Sequence, residues 1–260
     1  MSSGQLLSVR GLQVNYGAAQ ALTGVSFDVG AGSVLAVVGA NGAGKSSLAR
    51  ALSGLVQPRS GSVTLDGREV AGMPAHRIRR LGLAHVPEGR AVFGTLTVRD
   101  NLRMSQRWLK TRPARGEALE RALEMFPVLG RRLGQRASTL SGGEQQMLSL
   151  ACELMVTPRL VIADELSFGL APLIVDDVYE HLLRVRELGV SLIVIEQFIQ
   201  RALAMADQVL LLRRGTVAWA GPAGQTTADD LLARYIGPDT QQHSTEAEKL
   251  SGGPHKPPTD

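Results

Sequence analysis

The sequence predicts an α/β fold with a parallel sheet, antiparallel strands ahead of that sheet and a helical segment inserted part-way along it. Three observations lead there. Val34-Leu35-Ala36-Val37-Val38 is a short apolar, valine-rich run of the kind buried on both faces of a parallel sheet. A glycine-rich loop follows it, and then Leu48, Leu52 and Leu55 at the spacing of one helix face, with Gly54 as a stop. Later, strand-like runs return at Leu160–Ala163, Val190–Ile195 and Gln208–Leu212, with a helix from about Leu173 to Leu188 joining the first two. Strand, helix, strand in that order implies parallel pairing with right-handed crossovers.

The loop reads Gly39-Ala40-Asn41-Gly42-Ala43-Gly44-Lys45-Ser46-Ser47 and fits a glycine, four free positions, then Gly-Lys-Ser/Thr. Glycines let backbone N–H groups crowd an anion, and a helix N-terminus adds partial positive charge at the same place. Lys45 supplies a point charge for β- and γ-phosphates, and the Ser46 hydroxyl suits a Mg²⁺ ligand. Asn41-Gly42 alone could instead be a hairpin turn. The helical periodicity that follows argues against that and for a nucleoside triphosphate site.

The other elements are taken in chain order. From Leu6 to Val29, alternating apolar bursts broken by glycines read as antiparallel strands and turns, with Tyr16 among them as an apparent strand filler. Ser62–Leu65 is a strand running into an Asp66-Gly67 turn, Pro74–Leu81 a short basic helix, and Leu83–Val86 another strand. His76 and His85 stand alone, with no second ligand at metal spacing. From about 97 to 157 the strand pattern gives way to three or so helices, read as an insertion and not as an independent domain. Beyond Pro238 the composition turns polar, and residues 239–260 are expected to be a disordered tail.

Composition sets outer bounds. With 260 residues, 44% hydrophobic and 20% charged, the chain is long enough for a substantial core of ordinary soluble type. The net charge is only +4, and no Lys/Arg block marks a nucleic-acid tail, so nucleic acid is not an expected partner. The clusters Arg77, Arg79, Arg80 and Arg131, Arg132 read as solvated helix faces or as contacts to an anionic membrane surface. Cys152, the single cysteine, excludes an internal disulfide and falls on an apolar helical run, as a buried thiol would. No signal-like leader and no run of about 18 apolar residues is seen, so a cytoplasmic chain is expected, unless it docks on an embedded partner.

Two further stretches carry chemistry. Leu160-Val161-Ile162-Ala163-Asp164-Glu165 is an apolar strand ending in two carboxylates. At the C-terminal edge of a parallel sheet, Asp164 is expected to reach Mg²⁺ through water and Glu165 to polarise an attacking water. A solvated helix cap is the alternative for the pair taken alone. Ser141, Gly142 and Gly143, ahead of a helix through Met147, Leu150 and Leu154, make a second anion-binding helix start. One triphosphate hardly needs two such sites in one chain, unless the second serves a nucleotide held by another subunit.

Together, over about Leu6 to Gly237, these motifs resemble the ATP-binding subunits of ABC transporters, and Leu140-Ser141-Gly142-Gly143-Glu144-Gln145-Gln146 is similar to their signature loop. The resemblance implies the ABC ATPase fold: a phosphate-loop NTPase core, an N-terminal antiparallel β subdomain and an inserted helical subdomain, within a cassette over 1–238. ATP and Mg²⁺ are the implied ligands, with two subunits head to tail so that Lys45 of one and Ser141 to Glu144 of the other clamp one γ-phosphate. Tyr16 then corresponds to the aromatic that stacks on adenine. Implied partners are a second ATP-binding subunit, membrane permease subunits and, indirectly, a periplasmic or extracellular solute-binding protein, with the chain peripheral on the cytoplasmic face of the cell membrane.

Departures narrow the resemblance. Glu88 stands where glutamine is usual, Gln197 where a switch histidine is usual, and Gly169-Leu170-Ala171-Pro172 where an aspartate-containing loop is usual. All three resemble the second ATP-binding subunit of branched-chain amino acid importers, and urea and amide importers share much of the pattern. Leu166 and Phe168 also replace an expected proline and leucine. Gln197 is expected to sense the γ-phosphate while Glu165 remains the base, since an amide bonds but does not titrate. The segment from Glu88 to Met104, with Val92, Phe93 and Leu96, is expected to receive a permease helix, core packing being the alternative. Competing readings are a soluble ABC ATPase acting on ribosome or DNA, against which stand a single phosphate loop and no sustained heptads, and a degenerate site that only regulates its partner.

Overall fold

β1 (Gln5–Tyr16) and β2 (Ala19–Gly30) make an antiparallel hairpin that closes at Tyr16 and Ala19. The glycines expected to break this region into short strands do not end them. Gly11 and Gly24 adopt left-handed backbone (φ +58° and +69°) where the register slips, so each strand is bulged and continues for 12 residues. The computed structural model describes residues 4–89 and 91–236; the expected tail lies outside them.

β3 (Val34–Val38) leads through the glycine-rich loop into α1 (Lys45–Leu52). Leu48 and Leu52 are fully buried as expected, but Leu55 lies beyond the helix and is exposed, because Gly54 at φ +73° has already turned the chain. β4 (Ser60–Leu65) pairs with β1, and the two-residue β5 (Arg68–Glu69) follows it, giving a four-stranded sheet in the order β2-β1-β4-β5. Next come α2 (Ala75–Arg80) and β6 (Leu83–Val86), then the helices α3 (Val98–Ser105), α4 (Arg112–Met125), α5 (Pro127–Gly130) and α6 (Gly142–Leu154). β7 (Leu160–Asp164), α7 (Pro172–Glu187) and β8 (Ser191–Glu196) are close to the sequence expectation. They are followed by α8 (Ile199–Met205), β9 (Gln208–Arg213), β10 (Thr216–Pro222) and α9 (Ala228–Ile236), of which only β9 was visible in the sequence pattern.

The second sheet has six strands in the order β10-β9-β3-β8-β7-β6, parallel throughout except for β10 at one edge. Every residue of β3, β7 and β8 is buried, which is what a sheet covered on both faces requires. Alternate residues serve opposite faces. Leu35, Val37, Ile162, Ile193 and Ile195 pack toward α1 and the first sheet, while Val161, Ala163, Leu192 and Val194 share a cluster with α3 to α7. Phe126 and Leu129 are fully buried in that second cluster, so the inserted helices and the strands hold one apolar core between them.

Two of the basic clusters are not free helix faces. Arg79 forms an ion pair with Glu153 and donates to the Cys152 carbonyl, and Arg132 pairs with Glu144. Burial pushes the Cys152 thiol up to about 11, the behaviour of a packing residue and not of a nucleophile. Among the described residues, no helix is long and apolar enough to cross a membrane.

Phe126 sits against the His181 ring at 4.5 Å between centroids, joining the inserted helices to α7. Phe126→Ala is expected to destabilise the chain by about 3–5 kcal/mol, seen as a shift of one cooperative denaturant transition. A separate early transition confined to the helices would show that they keep a core of their own.

Candidate functional site

The parallel strands deliver their C-terminal ends to one edge of the sheet. β3 ends in the glycine-rich loop, β7 in Asp164-Glu165 and β8 in Glu196-Gln197. There a cleft of about 370 Å³ is lined by Asn41, Gly42, Lys45, Ser46 and Ser47 on one side and by Glu88, Glu165 and Phe168 on the other. Ala40, Gly44 and Ala21 complete its wall. Gly39 and Ala43 of the same loop are outside this lining.

Two glycines in the loop are dictated by neighbouring backbone. A Cβ on Gly39 would lie 2.4 Å from the Leu212 carbonyl oxygen, and one on Gly44 would lie 2.7 Å from that of Ala21. Gly44 also holds φ +106° as the cap of α1. With no side chain at the cap, the first-turn N–H groups are left for a ligand, and Lys45, Ser46 and Ser47 of that turn line the cleft.

Lys45 is 4% exposed. Its ammonium donates to the Gly39 carbonyl at 2.8 Å and the Ala40 carbonyl at 3.0 Å, and pairs with Glu165 Oε1 at 3.1 Å. Glu165 is a non-glycine residue in left-handed backbone, φ +48°, held there by its N–H on the Ile195 carbonyl at 2.9 Å. Such a conformation costs on the order of 1–3 kcal/mol and persists only where the surroundings fix it.

Asp164 is buried at the end of β7, and among the described residues its Oδ1 has no hydrogen-bond partner. A buried carboxylate oxygen without a donor suits a cation or a cation-bound water. No group of three or more His, Cys, Asp or Glu able to hold a metal exists among the described residues. The donor set therefore fits Mg²⁺ only as a hard, oxygen-ligated ion leaning on the Ser46 hydroxyl, Asp164 and substrate oxygens.

His85, isolated in sequence, is not isolated in space. Parallel pairing of β6 with β7 puts its Nε2 3.9 Å from Asp164 Oδ2, with Nδ1 3.0 Å from Ser53 Oγ. This is no hydrolytic triad: the Ser53 hydroxyl is buried at the end of α1 and donates to the Ala49 carbonyl at 2.8 Å. Gln197 Nε2 donates to Asn41 Oδ1 at 2.6 Å, so the switch position touches the glycine-rich loop directly. Tyr16 is 43% exposed at the hairpin tip and is outside the lining of the cleft, although Ala21 of the same hairpin belongs to it.

Ser141 to Glu144 also lie apart from this cleft. Ser141 caps α6: its hydroxyl accepts the Glu144 N–H, and the Glu144 carboxylate accepts the Ser141 N–H at 2.9 Å. Arg132 holds that carboxylate at 2.6 Å. Gly143 is required by packing, since a Cβ there would meet Ile174 Cγ2 at 2.0 Å.

A profile described as ABC transporter matches residues 22–167. The chain belongs to the ABC transporter family. As a cassette of that family it is an ATPase. It is 42% identical over 82% of its length to the high-affinity branched-chain amino acid transport ATP-binding protein BraG of Pseudomonas aeruginosa, covering 91% of that protein. It is 35% identical, again over 82% of its length and 91% of the relative, to a probable branched-chain amino acid transport ATP-binding protein, LivF, of Archaeoglobus fulgidus. A solved ATP-binding subunit of an ABC transporter superposes with a TM-score of 0.79 at 27% identity, covering 89% of this chain and 100% of that one. The expected ABC ATPase fold and the resemblance to branched-chain importer subunits are thus both correct.

Partial burial raises the Glu144 carboxyl in this cassette, but the Ser141 N–H, its hydroxyl and Arg132 outweigh that, and the net direction is down. A lowered carboxyl stabilises the fold above the ordinary glutamate range, and that contribution is lost as pH falls through the lowered value. Arg132→Ala is expected to move the Glu144 titration upward, followed by carboxyl ¹³C NMR. An unmoved titration would show that Arg132 does not hold the cap.

Proposed function

We propose that this cassette binds ATP with Mg²⁺ in the cleft at the start of α1 and hydrolyses it to ADP and phosphate with Glu165 as base. The observation that carries the reading is the meeting, in one cleft, of an uncapped helix start, a buried ammonium and a carboxylate held beside it. The N–H groups from Gly42 to Ser47 and the Lys45 ammonium bind the phosphates, Lys45 exchanging its loop carbonyls and Glu165 for phosphate oxygens. Ser46 and, through water, Asp164 would hold Mg²⁺, which would supply positive charge against the phosphate oxygens. Glu165, freed from Lys45, accepts the proton of the attacking water; Gln197, bonded to Asn41, is near enough to the loop to sense the γ-phosphate. Glu88 lines the same cleft from the segment that follows β6, and Tyr16 stacks on adenine once a nucleotide draws the hairpin tip inward.

The separation of Ser141 to Glu144 from the cleft supports a head-to-tail pair, in which that helix start meets a nucleotide bound by a second cassette, identical or sister. The relatives named for branched-chain amino acid transport support import of branched-chain amino acids, powered through permease subunits and supplied by a solute-binding protein. In that assembly the cassette spans residues 1–238 with its insertion at 97–157 and lies on the cytoplasmic face of the membrane. Phe93, 58% exposed between β6 and α3, is the residue of the docking segment best placed to meet a permease helix.

In the assembled transporter, Glu165→Gln is expected to retain ATP binding and lose about 10²–10⁴-fold in kcat, the usual worth of a general base. Full turnover in that variant would remove Glu165 from the chemistry. Lys45→Ala is expected to weaken ATP binding and abolish turnover, measured by calorimetry and phosphate release. Unchanged affinity would place the phosphates elsewhere.

A further inference from the structure

The family's usual histidine is absent at 197, and the Gln197 amide that replaces it is engaged with Asn41 at 2.6 Å. Something else must fix the loop that carries Glu165, whose backbone sits at φ +48°. Two anchors are present, and both come from the end of β8. The Ile195 carbonyl accepts the Glu165 N–H at 2.9 Å. One residue on, the Glu196 carboxylate accepts the Ser167 hydroxyl at 2.7 Å and the Ser167 N–H at 3.4 Å. Glu196 is 2% exposed and Ser167 5%, so neither interaction is a surface accident.

We propose that Glu196 is a positioning residue for hydrolysis: by clamping Ser167 it holds the Glu165 loop and ties it to the switch position at Gln197. This rests on the reading of Glu165 as the base. The contacts close a ring. Lys45 meets Glu165, Ser167 meets Glu196, and Gln197 returns to Asn41, with short stretches of backbone joining the three links. A change at either end of the ring, at the loop or at Gln197, is thereby passed to the other without a titrating side chain at 197.

Burying a carboxylate is unfavourable unless its oxygens are bonded. Burial pushes the Glu196 carboxyl upward, and the Ser167 hydroxyl with the backbone N–H groups of Ser167 and Gln197 offsets only part of that, so the net direction is up. Tyr179 is itself pushed up by burial and by facing Glu196. Arg201 of α8 pairs with Asp176 of α7 at 3.0 Å and links the two helices. A valine or isoleucine would fill this end of a buried strand at less desolvation cost, so a site kept polar here is explained by what it holds.

The test uses the assembled transporter, with Ser167→Ala, Ser167→Thr, Glu196→Gln and the Ser167→Ala/Glu196→Gln pair. Ser167→Ala is expected to lower kcat roughly tenfold with KM for ATP within about twofold, on the scale of one lost hydrogen bond to a charged group. Ser167→Thr, which restores the hydroxyl, is expected to recover most of that loss. The double variant is expected to be no slower than the slower single, as for two residues in one contact. Amide hydrogen exchange in Glu196→Gln is expected to quicken at 165–168 and stay unchanged in β3 and β9. Wild-type kcat in Ser167→Ala, failure of threonine to rescue, or losses that multiply in the double variant would each overturn the clamp. Glu165→Gln, run alongside, separates the readings: an inactive Glu165→Gln with a fully active Ser167→Ala removes the clamp and leaves the base in place.

Discussion

The cleft depends on one buried cation. The Lys45 ammonium is almost wholly out of water and would be costly there without partners. It has three: two loop carbonyls and the Glu165 carboxylate. The carbonyls curl the loop back over its own helix, and the carboxylate ties the segment after β7 to the loop after β3, across the end of β8 that lies between them. The loop that makes these contacts passes close to the Leu212 and Ala21 carbonyls, which is where Gly39 and Gly44 are required. A side chain at either glycine would therefore act on Lys45 without touching it.

The same constraint explains which parts of the site were legible in sequence. Gly39 to Ser47 announce themselves because one stretch of chain contains strand, loop and helix start, and the chemistry is local. Asp164 and Glu165 were legible for a similar reason, as carboxylates ending an apolar strand. The hairpin's antiparallel strands are legible, but Gly11 and Gly24 look like breaks in them, because a glycine at positive φ serves a bulge as well as a turn and local composition does not tell the two apart. α8 and β10 gave no usable pattern. α8 is seven residues long, and β10 is an edge strand with no buried residue and only alternate positions half-covered.

His85 and Glu196 were missed for a different reason. Each owes its place to strand order, not to a motif. His85 meets Asp164 only because β6 lies beside β7, and Glu196 meets Ser167 only because β8 lies on the other side of β7. Sequence periodicity fixes that these strands are parallel but not which are neighbours. A buried glutamate at the last position of an otherwise apolar strand was the signal available: Leu192 to Ile195 leave Glu196 as the one acid on a fully buried run. Its neighbour Gln197 drew attention by departing from a family pattern, although Glu196 is the residue carrying the buried contacts.

The two helix starts of the cassette are built as opposites, and the difference assigns them unequal work. α1 begins at a glycine with no side chain to offer, so its N–H groups and macrodipole are open to an outside anion. α6 begins at a serine, and its first turn already holds a carboxylate, because Glu144 returns to the Ser141 N–H and is kept there by Arg132. An anion arriving at α6 must displace that internal carboxylate or share its donors, whereas an anion arriving at α1 displaces only the contacts of Lys45. Of the two starts, α1 is therefore the more open to an outside anion. In the proposed head-to-tail pair, α6 would then meet a phosphate already fixed by α1 of the other cassette, with Arg132 beside Glu144.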